Sequence, residues 1–359
     1  MVRTKSKFVM ACLVALLAFG ANAVCTTTTY LVGTCKTGPK SFTTIQLALD
    51  ALPAPTTVQI CPGTYREQLA ITQAVTLQGI STAASSAVII LPPSTGLAAN
   101  ASLDLGGSVA AQIYVNASGP VNLTNLTVDG TGNNVSCCYV VGVFYRETAG
   151  AIKHVTTRYQ QANIKGVGIV LEGGSSIPSV SVENSDVRYF DDIGIWAETN
   201  SASSELKVTV QGNVVYTPGD YTGIRIDTGT TATVTGNIVN AATCIVLSGV
   251  AGSVSGNTLV SLGFGVELLA DGMSVTNNKM AGGDAAGIAV VVPITTSQIT
   301  GNTISSFPDG IAIYCNATNN NIHSNTIADA TYGLAGVPPG VVFPNTYFGV
   351  TTNTTPICE

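Results

Sequence analysis

A six-residue phrase recurs along the C-terminal half of the chain, and its spacing restricts the available folds more than any other feature. It reads VQGNVV at Val210 to Val215, VTGNIV at Val234 to Val239, VSGNTL at Val254 to Leu259, VTNNKM at Val275 to Met280, ITGNTI at Ile299 to Ile304 and IHSNTI at Ile322 to Ile327. The shared asparagine falls at Asn213, Asn237, Asn257, Asn278, Asn302 and Asn325, at intervals of 24, 20, 21, 24 and 23 residues. Periods of this size belong to stacked supersecondary units, each of which buries its apolar face only against its neighbours. A second series lies between the first: GIVLE from Gly168, GIWAE from Gly194, GIRID from Gly223, GVELL from Gly265, GIAVV from Gly287 and GIAIY from Gly310. Looser versions, LTNLTV from Leu123, IKHVTT from Ile152 and VENSDV from Val182, carry the pattern upstream.

Both series are short alternating apolar segments, which is strand periodicity. Only 9% of the residues are charged, against roughly 25% in a typical soluble domain, too few for amphipathic helix bundles. The glycines lack the three-residue period of collagen, and the abundant aliphatic residues exclude disorder. Short strands separated by Gly/Asn turns, with no helix between them, wind into a parallel β-solenoid. In that arrangement each rung pairs with the next at about 4.8 Å and inward positions stack into aliphatic columns. Asparagine tolerates a left-handed backbone and can bond a stacked neighbour, so the asparagine column reads as structural. Leucine-rich repeats share the period, but their leucine consensus is absent.

The first 23 residues read as a secretory leader: Arg3, Lys5 and Lys7 precede the apolar run Phe8 to Phe19, and Ala21-Asn22-Ala23 is a small-x-small cleavage site. That run is too short to span a bilayer, which takes roughly 20 residues. The expected product begins at Val24 and is secreted, without membrane insertion. Removing the three leader cations from 14 basic residues leaves 11 against 20 acidic ones, a net charge of −9, which disfavours nucleic acid and anionic membranes as partners. Eight of the nine cysteines lie beyond the leader. The grouping of Cys25, Cys35 and Cys61 near one end, and of Cys315 and Cys358 near the other, suggests disulfide staples. The adjacent Cys137 and Cys138 read as two separate structural cysteines rather than a redox pair. With no CxxC pair and only His154 and His323, zinc and haem are not expected.

Ser41 to Leu52 can form a helix capped by Thr43 or Thr44, with Ile45, Ala48, Leu49 and Leu52 on one face and Pro53 ending it. The stretch Phe42 to Ile80, with this helix, a first strand and Gly63-Thr64-Tyr65-Arg66-Glu67, resembles the opening of pectin esterases and of the wider pectate-lyase-like superfamily. The later repeats resemble the generic repeats of the same superfamily, so the resemblance spans Phe42 to Val337. It implies an all-β chain: a right-handed, single-stranded parallel β-helix with an N-terminal capping helix. The expected divisions are the leader 1–23, an extension 24–41, the β-helix domain 42–337 including that helix, and a tail cap 338–359. The esterases' catalytic segments with paired aspartates are absent, so pectin esterase activity is not expected. Asp191-Asp192-Ile193-Gly194-Ile195 resembles the paired-aspartate segment of polygalacturonases, whose other segments are absent.

Residues 146 to 227 hold 17 of the 34 charged side chains, together with the only tryptophan. Aligned on the glycines of the second series, Val143/Tyr145, Ile169/Leu171, Ile195/Ala197 and Ile224/Ile226 point inward. The alternate positions are then expected to face solvent. One outward column reads Phe144, Val170, Trp196, Arg225; its neighbour reads Arg146, Glu172, Glu198, Asp227. Like charges directly opposite on paired strands are destabilising, so the carboxylate column needs a reason. One is Ca²⁺, which takes several carboxylate oxygens, although the sequence fixes no metal ligand set. Another is acid–base chemistry, in which crowding raises one carboxyl's pKa and leaves its neighbour as base or nucleophile.

Glu172, Glu198, Asp227 and Arg225 are therefore the candidate catalytic residues. Trp196, Phe144 and Arg146, with Asp191, Asp192 and Asp220 in the turns just before the strands, are the candidate substrate contacts. The expected partner is a polysaccharide, engaged by a lyase or glycoside hydrolase or, alternatively, by a non-catalytic adhesion protein presenting a rigid rod. No oligomeric state follows from the sequence.

Overall fold

Every rung of the repeat becomes a coil of parallel strands, each hydrogen-bonded to its counterpart one coil further on. The computed structural model describes residues 27–81, 87–104, 106–163, 165–174, 178–199, 205–292, 296–313, 321–337 and 344–356. The expected leader, Cys25, Tyr314, Cys315 and Cys358 lie outside them. The first strand of a coil, such as Gly150–Lys153 or Ser179–Glu183, joins a 13-stranded sheet; the second and third, such as Thr156–Arg158 and Gly166–Glu172, share a 23-stranded sheet.

The register stacks identical positions. Leu77, Leu123, Ile152, Val182, Val210, Val234, Val254, Val275, Ile299 and Ile322 form one unbroken column in the first strands, all fully buried. In the third strands the expected inward pairs from Val143/Tyr145 to Ile224/Ile226 are likewise buried in the interior cluster. A fully buried aliphatic side chain contributes about 1.5–3 kcal/mol, so these columns carry the fold. The recurrent glycine that opens the third strand is fixed by crowding. A Cβ on Gly168 would stand 2.4 Å from Val187 Cγ1 and 2.6 Å from the Gly194 carbonyl oxygen, and Gly194 and Gly287 meet their next coils as closely.

The asparagines form a continuous buried ladder. Asn257 Nδ2 donates to the Val234 carbonyl at 3.0 Å and to Asn278 Oδ1 at 2.9 Å, while its own Oδ1 accepts from the backbone amide and Nδ2 of Asn237 at 2.8 and 2.9 Å. The ladder opens where Ser185 N donates to Asn213 Oδ1 and continues to Asn345. A column of side-chain amides thus satisfies turn backbone that has no water to bond.

Both ends depart from the expected divisions. Thr29–Val32, inside the expected extension, lies between Lys40–Phe42 and Thr57–Ile60 in the 13-stranded sheet. Thr346–Phe348 and Thr352–Pro356, inside the expected tail cap, pair in parallel with Thr326–Ala328 and Tyr332–Val337. Among the described residues the one helix is Ile45–Leu49, with Thr44 as its N-cap and Ile45, Ala48 and Leu49 buried. Leu52 does not share that face: the helix stops at Leu49 with Asp50 as its C-cap, and Leu52 is 84% exposed. Glu67, from the GTYRE segment, accepts from the Ile45 and Gln46 amides at 2.8 and 3.0 Å, holding the helix start to the first coil. Cys35 and Cys61 form a disulfide. Cys137 and Cys138 are bonded to each other rather than filling two separate roles.

Candidate functional site

The four third strands Tyr139–Arg146, Gly166–Glu172, Ile193–Glu198 and Thr222–Ile226 carry the expected columns in register: Phe144, Val170, Trp196, Arg225 beside Arg146, Glu172, Glu198. Asp227 continues the second column, its amide bonding the Ala197 carbonyl at 2.8 Å. The expectation that these columns face solvent is overturned except at the arginines. Phe144, Val170 and Glu198 have no exposure, and Glu172, Asp227 and Trp196 retain 1%, 5% and 7%. The side chains do leave the coil outward, but a second layer covers them.

That layer is a strap. Ala101–Ser102 turns back antiparallel onto Ser108–Val115, and Asn100 pins it through reciprocal 2.9 Å bonds with the backbone of Ala111. Leu103 then packs with Val109, Ala111, Phe144, Val170 and Trp196 in a hydrophobic cluster separate from the interior. Asp104 follows, donating its amide to Glu172 Oε2 at 2.9 Å and pairing its carboxylate with Arg146 at 2.5 Å. Arg146 also reaches Glu172 Oε1 at 3.1 Å and the Ser102 carbonyl at 3.0 Å. Arg146 therefore fastens the strap.

Burial changes the acids. Among the described residues Glu198 has no hydrogen-bond partner for either carboxyl oxygen, and burial, reinforced by Glu172, Asp227 and Asp104 and opposed by Arg225, pushes it up to about 8. Burial raises Glu172 to about 7, against the Asp104 amide and Arg146. With Glu198 protonated at neutrality and Glu172 paired with Arg146, the stacked pair escapes the like-charge repulsion that made the column puzzling. Asp227 is consumed structurally, accepting from Trp196 Nε1 at 2.8 Å, Arg225 Nε at 2.8 Å and Ser248 Oγ at 2.7 Å. The Ca²⁺ explanation gains no donor set: among the described residues no three His, Cys, Asp or Glu side chains converge as a metal site.

Of the turn residues, Asp191 is buried and accepts from the Ala162 and Gly166 amides at 2.8 and 2.6 Å, so it builds a turn. Asp220 stays exposed in its own turn. Asp192 is half-buried, and burial, aided by Asp191 and opposed by Arg225, raises it to about 6. Four residues missing from the sequence expectations complete the site. Tyr139 lies 6.3 Å from the Trp196 ring with Lys165 Nζ 5.8 Å from its own centre, and burial, Asp192 and Glu198 raise its phenol. Leu103 packs on the outward apolar column and Asp104 bonds Glu172, as described above. The Arg225 side chain is 42% exposed with its guanidinium 5.9 Å from the Trp196 ring. The solvent side therefore presents Tyr139, Lys165, Asp192 and Arg225, not the two glutamates.

Residues 222–338 match the family model described as a right-handed β-helix region. No curated protein matches the chain by sequence. Among solved structures, the A-module of a mannuronan C-5 epimerase from Azotobacter vinelandii is 18% identical over 87% of this chain and 92% of its own, with a TM-score of 0.57. A lacto-N-biosidase from Eubacterium ramulus is 11% identical over 89% and 67%, with a TM-score of 0.56. A tailspike protein of an E. coli bacteriophage, in complex with a pentasaccharide, is 12% identical over 83% and 60%, with a TM-score of 0.53. Identities this low speak to architecture, and the chain carries a right-handed parallel β-helix.

Proposed function

We propose that this is an exported protein that binds a uronate-containing polysaccharide along the outward face of its third strands, through Tyr139, Lys165, Asp192 and Arg225. The observation that carries the reading is the surface left open by the strap: the part-exposed Tyr139 ring flanked by a lysine and a part-exposed arginine, suited to a pyranose face and a sugar carboxylate. The leader and the Cys35–Cys61 disulfide fit an oxidising compartment. The named neighbours include a mannuronan epimerase, a lacto-N-biosidase and a pentasaccharide-bound tailspike, which supports the ligand class on an architecture that does not itself fix function. The helix Ile45–Leu49 serves to cover the N-terminal end of the rod.

Glu172 holds the strap through the Asp104 amide and Arg146, and neither it nor the fully buried Glu198 is placed to cut, since a general acid must reach the glycosidic oxygen. Binding without cleavage by these residues is therefore favoured. Asp192 supports lyase or hydrolase chemistry as a second function, because a carboxyl near 6 beside Arg225 and Tyr139 is poised for proton transfer. A panel of neutral and uronate-containing polysaccharides separates the two. Retention of one uronate polymer, weakened at least about tenfold by Arg225→Ala, without new reducing ends or unsaturated uronate, is expected; the tenfold corresponds to about 1.4 kcal/mol. Product release lost in Asp192→Asn establishes the enzyme, and retention indifferent to Arg225→Ala contradicts binding at this face.

A further inference from the structure

A second aromatic feature lies in the turns between the second and third strands. Asp129, Arg158, Arg188 and Tyr216 are in register, so the residues after them, Gly130, Tyr159, Tyr189 and Thr217, stack coil upon coil. The Tyr159 and Tyr189 rings are parallel, 4.9 Å apart and 6° from coplanar, and Tyr216 meets Tyr189 edge-on at 5.7 Å. Both stacked tyrosines sit at positive φ, 58° and 54°. That backbone is the turn geometry of the coil, which recurs at the same position of the column at Gly282, Ser306, Asp329 and Gly349.

The stack is unfinished on one side. The position above Tyr159 is Gly130, where a Cβ would stand 2.5 Å from the Tyr159 carbonyl oxygen and 2.5 Å from Gln160 Oε1. Only glycine fits, so no side chain of that column can cover the outer face of Tyr159. An open cleft of about 580 Å3 occupies the place, lined by Tyr159, Thr131, Gly132, Asn134 and Gln161, and Tyr159 is 39% exposed. Arg158, whose Nε is held by Asp129 at 2.8 Å, places its guanidinium carbon 5.8 Å from the Tyr159 ring centre. Among the described residues its two terminal nitrogens have no hydrogen-bond partner.

We propose that this cleft is a saccharide subsite in which one pyranosyl unit stacks its C–H face on Tyr159, completing the column, while its ring hydroxyls accept from Arg158 and bond the amides of Asn134 and Gln161. A pyranose fits because the cleft offers one flat apolar wall and a polar rim, the pattern of small-ligand sites. A stacking platform of this kind tolerates different sugars, as aromatic platforms for nucleobases tolerate different bases. The subsite deepens the polysaccharide reading and rests on it for the ligand class only; its residues are distinct from Arg225, Trp196 and Asp192.

The test titrates the full chain with oligosaccharides of glucan, mannan, xylan and galacturonan, comparing wild type with Tyr159→Asn, Tyr159→Phe and Arg225→Ala. Asparagine accepts the left-handed backbone while removing the ring, and phenylalanine keeps the ring. The expected result is an oligosaccharide that binds roughly tenfold more weakly to Tyr159→Asn yet within about twofold of wild type to Tyr159→Phe. Binding unchanged in Tyr159→Asn but lost in Arg225→Ala overturns the subsite and leaves the strand-face reading standing. Binding lost in Tyr159→Asn but kept in Arg225→Ala supports the subsite and overturns the other. Absence of binding to wild type by every oligosaccharide overturns both.

Discussion

On the same strands and in the same register, the outward column of the rod reads Tyr114, Phe144, Val170, Trp196, Arg225 in one half and Val246, Glu267, Ala289, Ala312, Ala335 in the other. The interior columns do not change between the halves. The turn after the first strand also differs: it carries the asparagine ladder from Asn213 onward, whereas Leu126, Val155 and Ser185 stand at that position in the earlier coils. The coil therefore needs its aliphatic interior and its glycine corner, while the outward face varies freely. The earlier half uses that freedom to build a second hydrophobic layer under the strap, beside the buried Glu172 and Glu198. The later half leaves the face nearly bare, with Ala286, Ala289 and Ala312 as a small cluster.

The largest way to break the comparison is to place an earlier-half residue in the later half. Val155 is native at its turn, but Asn257→Val leaves the buried amide of Asn237 without an acceptor, leaves its Nδ2 only the Val210 carbonyl, and removes two donated bonds. The expected loss is about 3–5 kcal/mol in denaturant unfolding, since each orphaned buried donor costs about 1–3 kcal/mol. A loss below about 1 kcal/mol would mean that the ladder does not distinguish the halves. Next in size, Leu103→Ala truncates the strap's anchor and is expected to lose about 2–3 kcal/mol. Its signature is local: hydrogen exchange at the Ala111 amide, bonded to Asn100, should accelerate while exchange along Thr258–Leu268 does not. Uniform acceleration over the rod would deny the strap an independent existence.

The acids give a smaller effect with a definite sign. Glu198 holds its proton to about 8 when folded, against an ordinary value of 4.5 when unfolded. Between those values the folded chain binds more protons, so stability falls as pH rises through the window and is unaffected by this group below it. The wild-type thermal midpoint should therefore decline from pH 5 to pH 8. Glu198→Gln should match wild type near pH 5 and exceed it by about 5 °C near pH 8. Some slope should remain from Glu172, which is raised to about 7. A variant that parallels wild type across the window would show that Glu198 is not buried as a neutral acid.

The fold was legible because its determinants are local and repeated. Ile169, Ile195 and Ile224 were placed inward by alternation, and the column Arg146, Glu172, Glu198 follows from aligning glycines. What alternation cannot supply is a cover. The strap at Ala101–Asp104 belongs to no repeat, and its bond from the Asp104 amide to Glu172 spans 68 residues, so the outward columns were read as solvent-facing. At Asp191 the difficulty is the opposite one: a carboxylate in a turn is as readily an acceptor for nearby amides as a ligand contact, and here it bonds two amides. Tyr139 carried a signal that went unused, since it begins the same strand as Phe144 and Arg146. The tail beyond Val337 kept the strand pairing although its prolines hide the repeat, and Asn345 was the residue that continued the ladder there.

Trp196 is the only tryptophan of the chain, and it lies at the centre of the proposed binding face with Arg225 over it and Tyr139 beside it. Its fluorescence, followed while neutral and uronate-containing polysaccharides are added, tests the assignment of that face most directly. The expected result is a saturable change in emission with a uronate polymer, absent in Arg225→Ala at the same concentrations. No emission change with any polysaccharide, or a change that persists unaltered in Arg225→Ala, would contradict it.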